Sequence, residues 1–418
     1  MNFDDSPEEA AFRAEARTWL EAHAVARGSE EDFSAAGGGN PRTLEEFEEH
    51  EGAWVQRCCD WQAELHRGGW AGISWPKSYG GRSGSTIEEA IFAEEQARFG
   101  VTNGALMVGI GMAGPTIIDH GTEEQRDRYL DPMLAGREVW CQLFSEPGAG
   151  SDLASLATKA VRDGDQWVVN GQKVWTSGAR QSDWGILLAR TDPDQPKHKG
   201  ITFFVVDMRT PGIDVRPLRQ INGGYHFNEV FLTDVVVPDA NVIGALNDGW
   251  RVTMTTLTNE RHAIGSGGGG AKVQDLIALA KEVGRSDDPV LRDALTELYT
   301  RQELLRYLGF RTRSALASGK PLGPEASVAK LLNGKRGTDL SELALRVLGP
   351  GGMLAEEAAP HAGRWTDDFL FSRASRVGGG TDEVQRNIIA ERVLGLPREP
   401  VADRGVPFRE AVTGGAAR

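Results

Sequence analysis

The spacing of apolar and polar positions changes twice along the chain. Apolar side chains three or four positions apart predict helices in the first third, at residues 7–26, 44–65, 87–99 and 123–134. Between about 140 and 245 the apolar positions alternate and β-branched residues accumulate, which predicts strands. After residue 249 the helical spacing returns. The pattern therefore predicts an α+β protein in which a β domain lies between two helical parts.

Two local features refine this prediction. Asn170-Gly171 lies inside the β-prone run 167–175 and predicts a hairpin turn, because both residues tolerate positive φ. The last residues, 401–418, show no periodic apolar pattern and are expected to be frayed.

Composition excludes several classes of protein. A length of 418 residues suggests two to three domains at roughly 150 residues each. With 40% apolar and 25% charged residues, the chain has the composition of a soluble globular protein rather than a disordered one. A net charge of −14 leaves no basic surface to neutralise phosphates, so a nucleic-acid partner is not expected.

Cysteine content and the N-terminus indicate the compartment. The three cysteines, Cys58, Cys59 and Cys141, support neither a disulfide framework nor a zinc site, and they fit a reducing cytoplasm. The first ten residues are acidic where a secretory signal needs a basic start. No apolar run approaches the roughly 18 residues of a membrane span. We therefore expect a cytoplasmic protein without a transmembrane segment.

One familiar motif is rejected on its context. Gly109-Ile-Gly-Met-Ala-Gly114 matches G-x-G-x-x-G, but the dinucleotide-binding form of that motif follows a strand, and the surroundings here are helical. We interpret these glycines as a place where helices pack closely. No pair of histidines has the spacing of metal ligands.

Four segments combine groups that suit a cofactor site. Trp140-Cys-Gln-Leu-Phe-Ser-Glu-Pro-Gly-Ala-Gly-Ser-Asp152 places hydroxyls and turn amides beside apolar neighbours, and Trp175-Thr-Ser177 places an aromatic plane beside two hydroxyls. Three glycines before Thr381 open a helix whose N-terminus favours negative charge. Glu260-Arg261 lies on a mostly apolar helix. Taken singly, each segment also fits an ordinary turn, a flexible loop or a surface ion pair.

Taken together, these segments resemble the acyl-CoA dehydrogenase family over residues 7–397. The most specific stretches are residues 141–152, which carry the E-P-x-x-G-S-D signature, then Gly171-Gln-Lys-Val-Trp-Thr-Ser177, and residues 380–392. The resemblance implies an N-terminal all-α domain, a middle antiparallel β domain and a C-terminal four-helix bundle, followed by a tail. The corresponding boundaries are residues 1–138, 139–245, 246–397 and 398–418.

The resemblance also implies a reaction. FAD is expected between the last two domains, with an acyl-CoA thioester against the flavin. Loss of an α-proton and a β-hydride then gives a trans-2-enoyl-CoA, as in fatty acid β-oxidation and related lipid metabolism. Because the α-proton is a weak acid, the charge that develops on the thioester oxygen must be stabilised. In the family, a flavin ribityl hydroxyl and one backbone N–H do this, and here the N–H belongs to Gly379.

The general base is the position at which this sequence is most informative. Medium-chain members carry it in a Tyr-Glu-Gly-Thr loop, but the corresponding stretch here is Gly378-Gly379-Gly380-Thr381. Long-chain and isovaleryl-type members place the base on the preceding helix directly before an arginine, as in Glu260-Arg261. We therefore predict that Glu260 is the catalytic base and that Gly379 leaves the space its carboxylate needs.

The remaining site residues are carried over by the same resemblance. Ser151 and Arg261 are expected to contact the substrate. The residues expected to bind FAD are Gln142, Phe144, Ser145, Gly150, Ser151, Trp175, Thr176, Ser177, Gly349, Thr381 and Glu383.

The chain departs from the family where a neighbouring subunit usually completes the FAD site. The common Arg-x-x-Phe-Gly is replaced around Lys281-Glu-Val-Gly284, and Arg346 replaces a glutamine. The family implies a homo-oligomer, a dimer or tetramer, with electron-transfer flavoprotein or a similar acceptor. These departures leave open a hetero-oligomer in which the chain completes a partner's site.

Two further expectations concern the reaction. The glycines of residues 265–270 remove side chains after the base and suggest a wide pocket for branched, long or polycyclic acyl groups. A flavin oxidase or monooxygenase on the same scaffold is an alternative, since a fold does not fix a function. Retention of both Glu260 and Arg261 favours dehydrogenation.

Overall fold

The computed structural model describes residues 5–34, 43–266, 271–317, 323–324, 326–355, 358–400 and 405–411, with backbone alone at 261–266, 313 and 316–317. The N-terminal part follows the predicted helical spacing. Its helices are α1 Pro7–His23, α2 Leu44–Arg67, α3 Thr86–Gln96, α4 Gly114–His120 and α5 Glu123–Leu134. Large apolar side chains, among them Trp61, Trp70 and Phe92, fill the space between these helices.

The middle part is an eight-stranded sheet that carries half of the candidate site. Its strand order is β6-β7-β3-β2-β4-β5-β8, and β1 pairs in parallel with β4. The strands are β1 Trp140–Leu143, β2 Lys159–Asp163, β3 Gln166–Ser177, β4 Trp184–Arg190, β5 Ile201–Asp207, β6 Ile213–Leu218, β7 Phe227–Pro238 and β8 Val242–Ile243. Central strands β4 and β5 are buried over nearly their whole length, which places the core of this domain there.

The predicted hairpin turn at Asn170-Gly171 is wrong. Both residues lie inside the continuous strand β3, where the register with β7 shifts between Val169 and Gly171. The glycine serves close packing, because a Cβ at Gly171 would lie 2.3 Å from Thr158 Oγ1. The turn between β2 and β3 falls at Gly164 instead, where φ is 65°.

The C-terminal part is a bundle of helices. Its described helices are α6 Gly249–Ser266, α7 Val273–Glu282, α8 Pro289–Ala317, α9 Ala326–Leu348, α10 Arg364–Phe371 and α11 Asp382–Ile388. Leucines and other apolar residues of α7, α8 and α9 form one buried cluster with Trp365 of α10. The predicted helical, β, helical order and the α+β class are confirmed.

Helix α6 lies where the three parts of the molecule meet. The Thr256 hydroxyl shares a hydrogen bond of 2.9 Å with Thr116 of α4. At the start of α6, a Cβ on Gly249 would lie 2.6 Å from the backbone of Thr202 on β5, so only glycine allows this approach. The helix is thereby fixed to both neighbouring domains, and this fixes the position of Glu260 near its end.

The prediction of a frayed C-terminal tail is wrong for the part of the tail that the structure describes. Residues 405–411 are not frayed but pack on the loop of residues 191–200 in the β domain. The Phe408 N–H donates to Gln195 O at 2.9 Å, Arg409 pairs with Asp194 at 2.9 Å, and Ala411 is buried. The sequence has no periodic apolar pattern that would predict this contact, because only a single turn of the chain makes it. The rest of the predicted frayed tail, 401–404 and 412–418, lies outside the described residues.

Candidate active site

A buried ion pair joins the two segments of the β domain that were predicted to bind FAD, residues 140–152 and residues 175–177. Lys173 on β3 is fully buried, and its Nζ donates to Glu146 Oε1 at 2.8 Å and to Phe144 O at 3.0 Å. The Val174 N–H also donates to Ser145 O at 2.9 Å. The segment of residues 144–152, which we call the signature loop, is therefore attached to the strand that ends in residues 175–177.

The Glu146 carboxylate organises the chain that follows the signature loop. It accepts hydrogen bonds from the backbone N–H groups of Ala157 at 2.6 Å and Thr158 at 2.9 Å. Burial alone raises the pKa of Glu146, but the Lys173 ammonium and these donors outweigh it and hold the pKa below its usual value. A charged, fully paired carboxylate thus closes the loop back on the sheet.

Arg190 at the end of β4 supports the chain that follows the signature loop. Its Nη2 donates to Ala154 O at 2.7 Å and Leu156 O at 3.2 Å, and burial lowers its pKa to about 10. The ring of Phe408 covers the guanidinium at 3.8 Å. The C-terminal segment is therefore linked through one buried arginine to the chain just after the signature loop.

The end of β3 presents an aromatic face and a buried hydroxyl. Trp175 has a φ of 63° within a register shift between Lys173 and Thr176, and its side chain is 61% exposed. Positive φ in a bulky residue is rare and strained, and such strain is found mainly at functional sites. Next to it, Thr176 Oγ1 is buried and has no hydrogen-bond partner among the described residues. Both features suit a bound planar ring with polar edges.

Glu260 lies on α6, the helix that meets the β domain from the C-terminal part of the molecule. The residue is half-buried, and its Oε2 accepts a hydrogen bond from Gln142 Nε2 on β1 at 3.4 Å. The carboxylate is therefore turned toward the β domain and not outward into bulk solvent. Arg261 follows on the same helix, but its side chain lies outside the described residues.

Residues 377–381, which we call the glycine loop, lie between α10 and α11 and end directly before α11. Gly379 and Gly380 have φ values of 66° and 88°, a left-handed conformation that favours glycine. The ion pair of Arg376 with Asp382, 2.6 Å long, closes the loop at its two ends. Gln385 Nε2 donates to Gly379 O at 2.9 Å, so this flexible sequence is held in one conformation.

Lys330 on α9 is a site residue that the sequence reasoning missed. Its Nζ donates to Gly380 O at 2.5 Å. Burial lowers the pKa of this half-buried ammonium, while Asp382, Glu383 and Glu260 act in the opposite direction. Lys330 thus touches the glycine loop and lies within electrostatic reach of Glu260. A lone lysine inside an ordinary helical pattern carries no sequence signal of this kind.

Ten of the eleven predicted FAD-binding residues fall into three groups. Phe144, Ser145, Trp175 and Thr176 are joined by the Lys173–Glu146 pair, and Gln142 contacts Glu260. Thr381 caps α11 by accepting from the Val384 N–H at 3.2 Å. Four others lie exposed at the surface of these elements: Gly150, Ser151, Ser177 and Glu383.

Gly349 is not brought together with the other predicted residues. It follows the last residue of α9, whereas Lys330 lies near the first turn, so about 19 residues of helix, roughly 28 Å, separate the two. The two departures from the family meet at that far end, where Arg285 Nη1, next to Gly284, donates to Arg346 O at 2.7 Å. An arginine and a helix terminus occupy this surface in place of the family's usual residues.

The chain matches three protein-family models. They are described as acyl-CoA dehydrogenase, N-terminal domain at residues 6–137, middle domain at 141–235 and C-terminal domain at 247–394. The matched residues cover most of the chain, and the chain belongs to the acyl-CoA dehydrogenase family. It is an oxidoreductase, and its cofactor is FAD.

Particular relatives narrow the comparison. The chain is similar to acyl-CoA dehydrogenase IpdE1 of Mycobacterium tuberculosis (strain ATCC 25618 / H37Rv), with 42% identity over 393 residues that cover 93% of this chain and 98% of the relative. The solved structure described as Tcur3481-Tcur3483 steroid ACAD is 31% identical, with a TM-score of 0.79 over 96% of this chain and 100% of that chain. The ChsE4-ChsE5 complex from Mycobacterium tuberculosis is 30% identical, with a TM-score of 0.75 over the same shares.

Buried oxygens of this chain fit FAD. Besides Thr176 Oγ1, Asp382 Oδ1 and Gln385 Oε1 at the start of α11 are buried without a partner among the described residues. Unpaired buried polar atoms are costly unless a ligand or water meets them. In the part of the chain that the structure describes, no cluster of His, Cys, Asp or Glu could hold a metal ion. No described helix is long and apolar enough to cross a membrane.

Proposed function

We propose that this chain catalyses the FAD-dependent α,β-dehydrogenation of an acyl-CoA thioester to the trans-2-enoyl-CoA, with Glu260 as the base. The position of the Glu260 carboxylate carries the proposal. It is half-buried, accepts from Gln142 of β1, and lies within electrostatic reach of the lysine that holds the glycine loop. The helix that holds the glycine loop through Lys330, α9, thus packs against α6, the helix that carries the base.

Each group has one task in the proposed reaction. Bound FAD supplies the acceptor for the β-hydride of the substrate. Glu260 takes the α-proton, and the Gly379 N–H donates to the thioester oxygen, which gathers negative charge as the proton leaves. Thr176 offers its unpaired hydroxyl and Trp175 its aromatic face to the flavin ring. Ser151 and Arg261 are proposed to contact the substrate.

We infer that the acyl group is bulky, of the steroid-derived class. The support is the similarity to a solved structure named as a steroid acyl-CoA dehydrogenase, 31% identical over nearly the whole chain. The glycines expected to widen the pocket, residues 265–270, lie where the structure describes no side chains. The substrate class therefore depends on the relatives and not on pocket shape.

An anaerobic screen of acyl-CoA thioesters tests both parts of the proposal. The purified yellow enzyme is mixed with a steroid-derived acyl-CoA and, separately, with butyryl-CoA, and the loss of oxidised flavin absorbance is followed. We expect rapid bleaching with the steroid thioester and little with butyryl-CoA. Bleaching by butyryl-CoA alone contradicts the substrate class, and bleaching by none of a broad acyl-CoA series contradicts the dehydrogenase assignment.

The assembly and the acceptor are proposed on separate grounds. The ChsE4-ChsE5 structure is named as a complex of two chains, and Arg346 here departs from the family's pattern at a position where a neighbour usually meets FAD. We propose an oligomer that passes electrons to electron-transfer flavoprotein or a similar acceptor in the cytoplasm, where the three free cysteines stay reduced.

Purification distinguishes the possible assemblies. A yellow oligomer of this chain alone supports a homo-oligomer. A colourless product that gains FAD only after co-expression with a homologue supports a hetero-oligomer. Rapid turnover with O₂ as sole acceptor would instead favour the oxidase alternative.

A further inference from the structure

Among the described residues, four polar side chains hold the glycine loop: three lie in the chain next to the loop, and the fourth comes from α9. Arg376 and Asp382 close its ends, and Gln385 of α11 takes the Gly379 carbonyl. Lys330 of α9 takes the Gly380 carbonyl with its ammonium group. Three consecutive glycines have the most backbone freedom to lose, so a loop of this composition depends on such anchors.

Lys330 is also placed to influence the charge of the base. It is half-buried on α9, which packs against α6, and Glu260 is among the charges that act on it. One turn further along α9, Gly334 lets the chain before the glycine loop come close, since a Cβ there would lie 3.2 Å from Ser375 O. The same helix face therefore meets the loop and carries the cation.

The charges around Lys330 are mostly acidic. Glu260 acts from α6, Asp382 and Glu383 from the start of α11, and Arg376 is the opposing cation. On the other sides of Glu260, β1 contributes the neutral Gln142, and the turn Gly109–Ala113 packed on α6 has no ionisable side chain. Arg261 adds a charge whose side chain lies outside the described residues.

We propose that Lys330 is a positioning residue for the dehydrogenation, which fixes the glycine loop through Gly380 O and, as a cation on the helix packed against α6, keeps Glu260 ionised. The inference rests on the proposed role of Glu260 as the base. Without the ammonium group of Lys330, Asp382 is still paired with Arg376 and Glu383 is still exposed, but the half-buried Glu260 loses a nearby positive charge, and this loss favours the protonated form of the base. Bound substrate excludes water and strengthens the effect.

The test separates charge from hydrogen bonding. Lys330→Gln keeps a donor for Gly380 O but removes the charge, Lys330→Met removes both, and Lys330→Arg keeps both. The rate of anaerobic flavin bleaching is measured against pH with a thioester that reduces the wild type. We expect the acid limb to move to higher pH by about one unit in the Gln and Met variants and to stay in place in the Arg variant.

A matched control lies on the same helix. Lys335 of α9 is exposed and pairs with Asp339, so Lys335→Met should leave the acid limb unchanged. Two further readouts establish that the variants are folded and able to bind: the thermal midpoint of flavin release and the Kd of the enoyl-CoA product. We expect Lys330→Gln to keep both near wild type, whereas Lys330→Met weakens product binding severalfold because the loop loses an anchor.

The possible outcomes are distinct. An acid limb that stays at the wild-type position in a folded Lys330→Gln enzyme overturns the charge role, and a shift equal to that of Lys335→Met does the same. Wild-type product binding in Lys330→Met overturns the loop role. If Glu260→Gln itself bleaches at the wild-type rate, the proposed function fails, whereas an inactive Glu260→Gln enzyme with an unshifted Lys330→Gln profile overturns this inference alone.

Discussion

The two sides of the candidate site are built differently. On the β side, Glu146, Lys173 and Arg190 are buried and closely paired with one another or with backbone carbonyls. On the helical side, Glu260 and Lys330 are only half-buried, and the facing loop is made of glycines. The β side is rigid because its charged groups are buried and hydrogen-bonded. The helical side keeps its charged groups partly exposed to solvent.

This difference follows from the task of each side. A surface that holds a flat cofactor gains from charges that never change, and burial beside an opposite charge or backbone carbonyls provides that. A carboxylate that gives and takes a proton must keep both of its charge states accessible. Deep burial in an ion pair would fix one state, because breaking such a pair costs several kcal/mol. The half-buried position of Glu260 is therefore consistent with its proposed chemistry.

Breaking the buried pair on the β side should have the largest effect on stability. Lys173→Met leaves the Glu146 carboxylate buried without its cation, at a cost of about 3–5 kcal/mol. We expect the thermal unfolding midpoint to fall by roughly 10 °C and much of the FAD to be lost on purification. Lys159→Met, at an exposed position of β2, is the control and should change little. An unchanged midpoint for Lys173→Met contradicts the proposed rigidity.

The unpaired hydroxyl of Thr176 sharpens the comparison, because it should matter to the cofactor and not to the fold. Thr176→Val removes a buried oxygen that has no partner among the described residues. The thermal midpoint of the apoprotein should stay the same or rise, while FAD affinity falls about 10-fold. Thr176→Ser restores the hydroxyl and should restore affinity. Equal FAD affinity in the Val and wild-type proteins, measured by titration of apoprotein, would contradict the proposed contact.

The C-terminal segment should contribute a smaller amount to the rigid side. Phe408→Ala removes the ring that lies 3.8 Å from the Arg190 guanidinium, a contact of about 1 kcal/mol. We expect the midpoint of thermal flavin release to fall by about 2–4 °C. Phe408→Trp preserves an aromatic face and should behave as wild type. A Phe408→Ala protein with the wild-type midpoint would show that residues 405–411 do not support the chain that follows the signature loop.

The two domains also differ in how their stability should depend on pH, with opposite signs. The pKa of Glu146 is lowered, so its contribution to stability is present above its unfolded value of about 4.5 and is lost as pH falls through the folded value. Burial raises the pKa of Asp368 on α10, so its protonated form is favoured and stability is lost as pH rises through the folded value.

Two amide variants measure these opposite signs. Asp368→Asn should raise the thermal midpoint slightly at pH 7, and the gain should vanish as pH approaches 4. Glu146→Gln should lower the midpoint at pH 7, and the loss should shrink at low pH. For each variant, the quantity to follow is the difference between its thermal midpoint and that of the wild type. If lowering the pH changes this difference in the same direction for both variants, the assignment is contradicted.

The apolar spacing predicted most of the fold. The helical period predicted α1, α2, α3 and α5, because each of these helices buries one side of its surface. Asn170-Gly171 misled, since the same pair that suits a tight turn also suits a bulge where Thr158 comes close. The packing of residues 405–411 depends on Phe408 meeting Arg190, a contact between distant residues that has no periodic signal.

For the candidate site, the sequence identified the motifs but not the ion pairs and hydrogen bonds that hold them in place. Glu260 and Gly379 followed from resemblance, because a base displaced from one loop has a known second position. Lys173 and Glu146 were inside the quoted motifs, yet their pairing could not be predicted without knowing that β3 passes beneath the signature loop. The contact of Lys330 could not be predicted from the sequence, because it depends on how α9 packs against the glycine loop.

The central claim is that the carboxylate of Glu260 removes the α-proton of the substrate. It is tested most directly by rapid anaerobic mixing of Glu260→Gln with a thioester that bleaches the wild type. The account predicts a yellow, folded variant that binds the enoyl-CoA product normally but bleaches about 10³-fold more slowly or not at all. Bleaching at close to the wild-type rate would contradict it.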